Sequence, residues 1–423
     1  MINILSLSTS DYQGGASIAS YRITTAINKF TNQCSSKLLV ARKYTKDESV
    51  IEYYNLVGKS LYFVKLLSSR KIQNLQKTNN KITHSGSYFP SRIHKFINYH
   101  NSDVVHLNWV QDEFLPISSI YKIRKPLVWT LHDSWPFCGT EHHPFDLNDK
   151  RYIEGYCNEN RFMGGVDNKK IIINPDLDKF IWERKKQLAN KKIYFVAPSS
   201  WMLNSLKSSS LFNSHRGIII PNPVPRIFYD SNCISKSNAV KLLGLPLEKP
   251  ILLFVANRPK SDMNKGWNLL KDILTDLSKE IDFHINVIGG EVDIQLNGNS
   301  SINIFKRINS LYELSLFYRS ANVLLLPSIL ENLPQVATEA ISSGTPVIAF
   351  KGSGTEDVVI NKKTGYLIDK FDLKEFYKAI IMIIKKENNN FTKECISYSN
   401  NNWREELIAK KYADLFKDVY RSK

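Results

Sequence analysis

The chain has 423 residues, 43% of them apolar, which is too long for one ordinary domain and suits two packed domains of about 200 residues each. Fifty-seven basic against 40 acidic side chains give a net charge of +17, a field that attracts anions (nucleotides, nucleic acid, acidic membrane surfaces) and says nothing of fold. Five scattered cysteines, never spaced as CxxC, argue against a disulfide framework, and no apolar window approaches membrane-spanning length.

The start, MINILSLSTSDYQGG, lacks the basic region and long apolar run of a signal peptide, so a cytoplasmic protein is expected. Ile2 to Leu7 reads as a buried strand, and Asp11 to Ser17 as a turn opening a helix. Gly14 and Gly15 in that turn let backbone approach a ligand without a Cβ in the way, or simply turn the chain. Lys37 to Ala41 is the next strand. Residues 58–77 interleave Leu61, Phe63, Val64, Leu66 and Leu67 with Lys59, Lys65, Arg70 and Lys71. Two readings stand side by side: an amphipathic helix on an anionic membrane surface, or a core-facing helix with a solvated basic side. After a polar stretch, a short helix leads to the strand Val104–Leu107.

Leu127–Leu131 is a further strand, and it runs into His132-Asp133-Ser134-Trp135-Pro136-Phe137. A histidine just past the carboxyl end of a strand sits where α/β sheets bind ligands, with Asp133 placed to fix its ring. Cys138, His142, His143 and Cys157 match no zinc spacing. The basic helix Asp176–Leu188 offers Arg184 and Lys185 to a phosphate or an acceptor, or else is a solvated face. Ile218 to Pro225 is a strand ending in three prolines, a stiff domain boundary.

In the second half, Ile251–Ala256 is a strand followed by Asn257-Arg258-Pro259 and then Asn264-Lys265-Gly266-Trp267. His284–Gly290 is a strand with a glycine turn. Val323–Leu326 is a buried strand, residues 335–343 a short helix entered through Pro334 and stopped by Gly344 and Pro346, and Val347–Phe350 the next strand. This βαβ unit carries Glu331 in its loop and Glu339 on its helix, two carboxylates able to hold polyol groups on either side of a diphosphate, or two solvated charges. Gly352 to Asp357 reads as a glycine turn opening a helix, and Trp403 to Tyr420 has helical apolar spacing.

Glu331 and Glu339 have the E-x7-E spacing of the retaining family 4 glycosyltransferases, and the letters around them agree: Pro-Ser before, Glu-Ala within, Gly-Thr-Pro-Val after. Thr130 to Phe137, T-L-H-D-x-W-P-F, resembles the branch of that family that assembles bacterial surface polysaccharides such as O-antigen or colanic acid. The turn Ile220-Pro221-Asn222-Pro223 is similar to the family's interdomain turn. The resemblance implies an α/β chain of the GT-B fold, two Rossmann-like domains facing across a cleft. Residues 1–222 would bind the acceptor, 223–402 the nucleotide sugar, and 403–423 would be a helix packing back on the N-domain. It implies that Glu331, with Asn332 and Leu333, lies by the transferred sugar and that Glu339 binds the ribose. Arg258 and Lys265 would bind the diphosphate, Gly14 and Gly15 would approach it, and His132 would lie beside the reacting centre.

Two departures stand out: Asn257 replaces the family's glycine, and the interval from Arg258 to Lys265 is about two residues longer than in the family. The implied enzyme is a metal-independent hexosyltransferase with no cofactor beyond its nucleoside diphosphate sugar, a reading paired with the absence of an Asp-x-Asp metal motif. The implied acceptor is a lipid-linked glycan at the inner membrane, with residues 58–77 touching the anionic surface and the protein peripheral there. Rival readings are a GT-B nucleotide-sugar epimerase and a nucleic-acid-binding protein. Against the latter, basic residues are spread among acidic ones, so no nucleic-acid partner is expected.

Overall fold

A computed structural model of the protein describes residues 1–80, 82–144, 149–157, 174–230, 234–385 and 390–422. Cys233 and part of the polar tract near 385–390 lie outside the described residues. The chain divides into two compact units, Met1–Pro223 with Glu406–Lys423, and Val224–Glu405.

The first unit is built on a seven-stranded sheet: β1 (Ile2–Ser10), β2 (Cys34–Arg42), β3 (Val50–Glu52), β4 (Val104–Leu107), β5 (Leu127–Thr130), β6 (Ile193–Ala197) and β7 (Gly217–Ile219). Its order is β3-β2-β1-β4-β5-β6-β7, and every pairing is parallel. Parallel strands buried on both faces need apolar runs, which is why these segments are legible as Val-, Ile- and Leu-rich stretches. The order of strand addition reverses between β1 and β4, the place where a doubly wound sheet opens a crevice at its carboxyl edge. Helix α1 (Gly15–Phe30) and the C-terminal helix Glu405–Arg421 cover one face. Ile4, Val104, Val128 and Val196 meet Ile23 and Ile27 of α1 and Ile408, Tyr412 and Phe416 of the C-terminal helix there.

On that face the sheet turns polar toward its carboxyl edge. Ser36 Oγ lies 3.1 Å from Ser6 Oγ, Ser6 Oγ 3.2 Å from His106 Nδ1, and His106 Nε2 2.8 Å from Thr130 Oγ1. Tyr412 of the C-terminal helix closes the row, its hydroxyl 3.0 Å from Thr130 Oγ1. Buried polar groups persist only when paired, and this row pairs across four strands and a helix.

Helix α2 (Leu56–Gln73) fits neither reading of residues 58–77 in full. Tyr62, Leu66 and Ser69 are buried, so one side does pack on the unit. Yet Leu56, Leu61, Phe63 and Val64 are 83%, 61%, 58% and 59% exposed, so the solvated side is apolar as well as basic.

The second unit holds β8 (Ile251–Val255), β9 (His284–Ile288), β10 (Ser301–Phe305), β11 (Val323–Leu326), β12 (Val347–Phe350) and β13 (Gly365–Ile368) in the order β10-β9-β8-β11-β12-β13, again all parallel. Its reversal falls between β8 and β11, so the loops after these two strands share one crevice. The turn after β12 opens a 3-10 turn, Gly354–Asp357, rather than the α-helix expected from its glycines.

Candidate active site

Both loops at the reversal of the second unit carry residues singled out by the sequence. After β8 the chain turns through Arg258, whose φ of 54° is left-handed. The residue before it is Asn257, and the positive φ falls on the arginine, a conformation that costs a non-glycine residue about 1 kcal/mol. The Arg258 side chain is exposed and makes no ion pair among the described residues. A 3-10 turn, Met263–Lys265, then ends at Gly266 with φ 70°. A Cβ on Gly266 would stand 2.1 Å from the Pro327 carbonyl oxygen, so only glycine lets this turn lie against the loop after β11.

Asn264 fastens the two loops. Its amide donates to the Leu330 carbonyl at 2.8 Å, its Oδ1 accepts from Leu330 N–H at 3.0 Å, and its own carbonyl accepts from Ile329 N–H at 2.9 Å. With the loops fixed, Lys265 Nζ lies 2.7 Å from Glu331 Oε1. Burial alone would lower the Lys265 pKa, but the Glu331 carboxylate, helped by Asp262, outweighs it and raises it, so the ammonium stays charged. Glu331 in turn accepts Gly354 N–H on its backbone carbonyl at 2.8 Å, tying in the glycine turn after β12. Asn332 and Leu333 are buried in the same loop. Glu339, on helix Gln335–Ser342, is 4% exposed and accepts the Tyr318 hydroxyl at 2.9 Å. The structure thus brings Lys265 and Glu331 into contact, sets Glu339 on the helix that follows, and leaves Arg258 unpaired at the rim.

In the first unit, Gly14 caps α1 with φ 88°, and a Cβ built there meets nothing within 4 Å. The end of β1 is laced to the loop after β4: Thr9 N–H donates to the Trp109 carbonyl at 2.7 Å and Thr9 Oγ1 to the Gln111 carbonyl at 2.8 Å. His132 is partly exposed, with Nε2 3.0 Å from Asn108 Oδ1. Burial pushes its pKa down to about 4, so the ring is neutral.

Asp133 does not hold His132, contrary to expectation. Its carboxylate accepts Trp109 Nε1–H at 2.8 Å, Gln111 Nε2 at 3.1 Å and Trp135 N–H at 3.1 Å, and lies 2.7 Å from His142 Nδ1. Consecutive residues leaving a strand point to opposite sides, and His132 and Asp133 are separated in that way. Burial alone would raise the Asp133 pKa, but His142 outweighs it and holds the carboxyl below the usual range.

Lys185 corrects a second expectation. It is fully buried rather than solvated: its Nζ donates to the carbonyls of Trp135, Cys138 (2.9 Å) and Gly139 (2.6 Å) and sits 3.8 Å above the Trp135 ring. Arg184 bonds the Ser87 carbonyl. The letters Asp176-Leu177-Asp178 do form an Asp-x-Asp run, against the expectation of none. Asp176 caps its helix by accepting Lys179 N–H at 3.0 Å. Asp178 is buried with Gln76, Thr140, His84 and Arg151. His84, Glu141 and Asp178 are close enough to share a cation, but the Arg151 guanidinium already lies 3.2 Å from Glu141 and 3.4 Å from Asp178. Cys138, His142, His143 and Cys157 do not converge as a ligand group among the described residues.

Residues 235–402 match the family model described as glycosyl transferases group 1. The crystal structure of Anabaena HepE in complex with UDP-glucose aligns over 99% of this chain and 100% of its own, with TM-score 0.63 and 14% identity. WaaG, a glycosyltransferase involved in lipopolysaccharide biosynthesis, aligns over 97% and 99%, with TM-score 0.62 and 12% identity. The fold is GT-B. At such identities the two GT-B structures establish the fold alone. An uncharacterized glycosyltransferase of Haemophilus influenzae is 30% identical over 254 residues, which span 58% of this chain and 59% of that protein.

Within the GT-B frame, several residues at the two crevices escaped the sequence reading. Asn264 had a signal, since it stands beside Lys265-Gly266 in a turn. Tyr318 and Asn108 had none, because their partners lie 21 and 24 positions away.

Proposed function

We propose that this protein is a retaining glycosyltransferase that moves a sugar from a nucleoside diphosphate sugar to a lipid-linked oligosaccharide in bacterial surface-polysaccharide assembly. The observation that carries the reading is the Lys265–Glu331 contact at the strand reversal of the second unit. A cation there stabilises the charge that develops on the departing diphosphate, and Arg258 adds a second. Glu331 holds the transferred sugar, with Asn332 and Leu333 at its side, and Glu339 takes the ribose. The sugar–diphosphate bond breaks as the bond to the acceptor oxygen forms on the same face, and the acceptor proton passes to the leaving phosphate oxygen. With Lys265 and Arg258 supplying the positive charge, the proposed step needs no bound metal. Gly14, Gly15 and His132 are the first unit's candidates to meet a substrate, the two glycines by leaving backbone free of a Cβ.

Thermal shift against UDP, GDP, ADP and CMP and their sugars tests the donor site. One nucleoside diphosphate raises the melting temperature of the wild type and not that of Glu339→Ala. No shift with any of them would remove the donor site and the transferase reading with it.

The lipid-linked acceptor is supported by α2, whose exposed Leu56, Leu61, Phe63 and Val64 accompany the exposed Arg70 and Lys71. Apolar side chains flanked by cations suit an anionic bilayer surface. Co-sedimentation with vesicles containing anionic lipid is expected for the wild type, weakened in a variant with Lys59, Lys65, Arg70 and Lys71 all changed to Gln. Equal sedimentation of the two proteins, or none of either, refutes the membrane contact.

A further inference from the structure

Asn108 is the first residue past β4 and His132 the second past β5, so both leave the carboxyl ends of neighbouring, directly paired strands. Asn108 is 1% exposed, and its backbone carbonyl accepts Trp129 Nε1–H at 3.2 Å, which fixes the residue from below. Its Oδ1 faces His132 Nε2 at 3.0 Å. The amide nitrogen is buried with no hydrogen-bond partner, so the side chain is anchored through its oxygen. His132 Nδ1 makes no hydrogen bond among the described residues, and the ring is partly exposed. The titratable groups facing the ring are His106 of β4, itself buried, and Asp133, whose carboxylate is engaged by Trp109, Gln111 and His142.

A carbonyl oxygen only accepts, so the ring nitrogen that meets it must carry the proton. We infer that Asn108 is a positioning residue that fixes His132 as the Nε2–H tautomer and leaves the Nδ1 lone pair to accept a hydrogen bond from a sugar hydroxyl. The second half rests on the transferase reading; the tautomer does not. On this assignment His132 is a neutral hydrogen-bond acceptor, neither a cation nor a carrier of the reaction's proton. The opposite amide orientation would donate to Nε2 and move the proton to Nδ1, so the tautomer reads the clamp directly.

The test is ring nitrogen NMR on the full-length protein with ¹⁵N-labelled histidine, the His132 signal being assigned by its loss in His132→Gln. The wild type is expected to show protonated Nε2 and unprotonated Nδ1 throughout the neutral pH range. Asn108→Ala mixes the two tautomers. Asn108→Asp, which is isosteric and keeps a measurable protein should the alanine variant misfold, retains Nε2–H and raises the His132 pKa by about 1–3 units. A wild-type ring protonated on Nδ1, or an Asn108→Ala spectrum identical to wild type, overturns the clamp. If the tautomer pattern holds but no nucleoside diphosphate shifts the melting temperature, the clamp stands and the transferase reading falls.

Discussion

Lys265→Ala lowers turnover by about 10²–10³-fold, the loss typical of removing one preorganised partner of a developing anion. The reasoning is local. Asn264 and Gly266 hold the turn against the loop after β11, so Lys265 Nζ is already within 2.7 Å of Glu331 before any ligand arrives. A charge fixed in advance acts on the transition state without reorganising, so the loss falls on kcat more than on KM. The side chain is only partly buried and its loss opens little core, so the melting temperature should stay close to wild type. Steady-state kinetics with the nucleotide sugar identified by thermal shift decides the matter. A variant with near wild-type kcat means that the diphosphate is neutralised elsewhere.

The largest loss of stability is expected at Lys185. Alanine there strands the carbonyls of Trp135, Cys138 and Gly139 in a buried site and leaves a cavity beside the Trp135 ring. An unsatisfied buried carbonyl costs about 1–3 kcal/mol, and with water entering the space the net loss is about 3–5 kcal/mol. Lys185→Met fills most of the volume and donates nothing, so it separates packing from hydrogen bonding. Urea denaturation should place the methionine variant between wild type and alanine. Methionine equal to wild type would mean that the three carbonyls need no donor.

What was legible in the sequence follows from where the interactions are made. Central strands such as Val104–Leu107 and Val323–Leu326 are buried on both faces and show as unbroken apolar runs. The edge strands β3 and β10 carry no such signal: Val50–Glu52 is three residues long, and Ser301–Phe305 has two polar residues among its five and none fully buried. Glu331 and Lys265 could be named because each sits in a loop with recognisable neighbours, and the structure puts them in contact. The partner of His132 could not, because Asn108 arrives from a different strand and adjacency in sequence favoured Asp133. Charge patterning likewise suggested a solvated Lys185, since a run of Lys and Arg on a helix gives no hint that one of them meets a ring of carbonyls.

The last helix of the chain completes the sheet made first. Ile4, Val104, Val128 and Val196 are covered by Ile408, Tyr412 and Phe416, and the Tyr412 hydroxyl ends the polar row from Ser36. During synthesis the first unit therefore waits on the ribosome with the part of this face under the last helix uncovered until the whole second unit has been translated. A ribosome stalled before residue 406 would release a chain with an intact second unit and an open apolar sheet in the first, a ready substrate for chaperones and proteases.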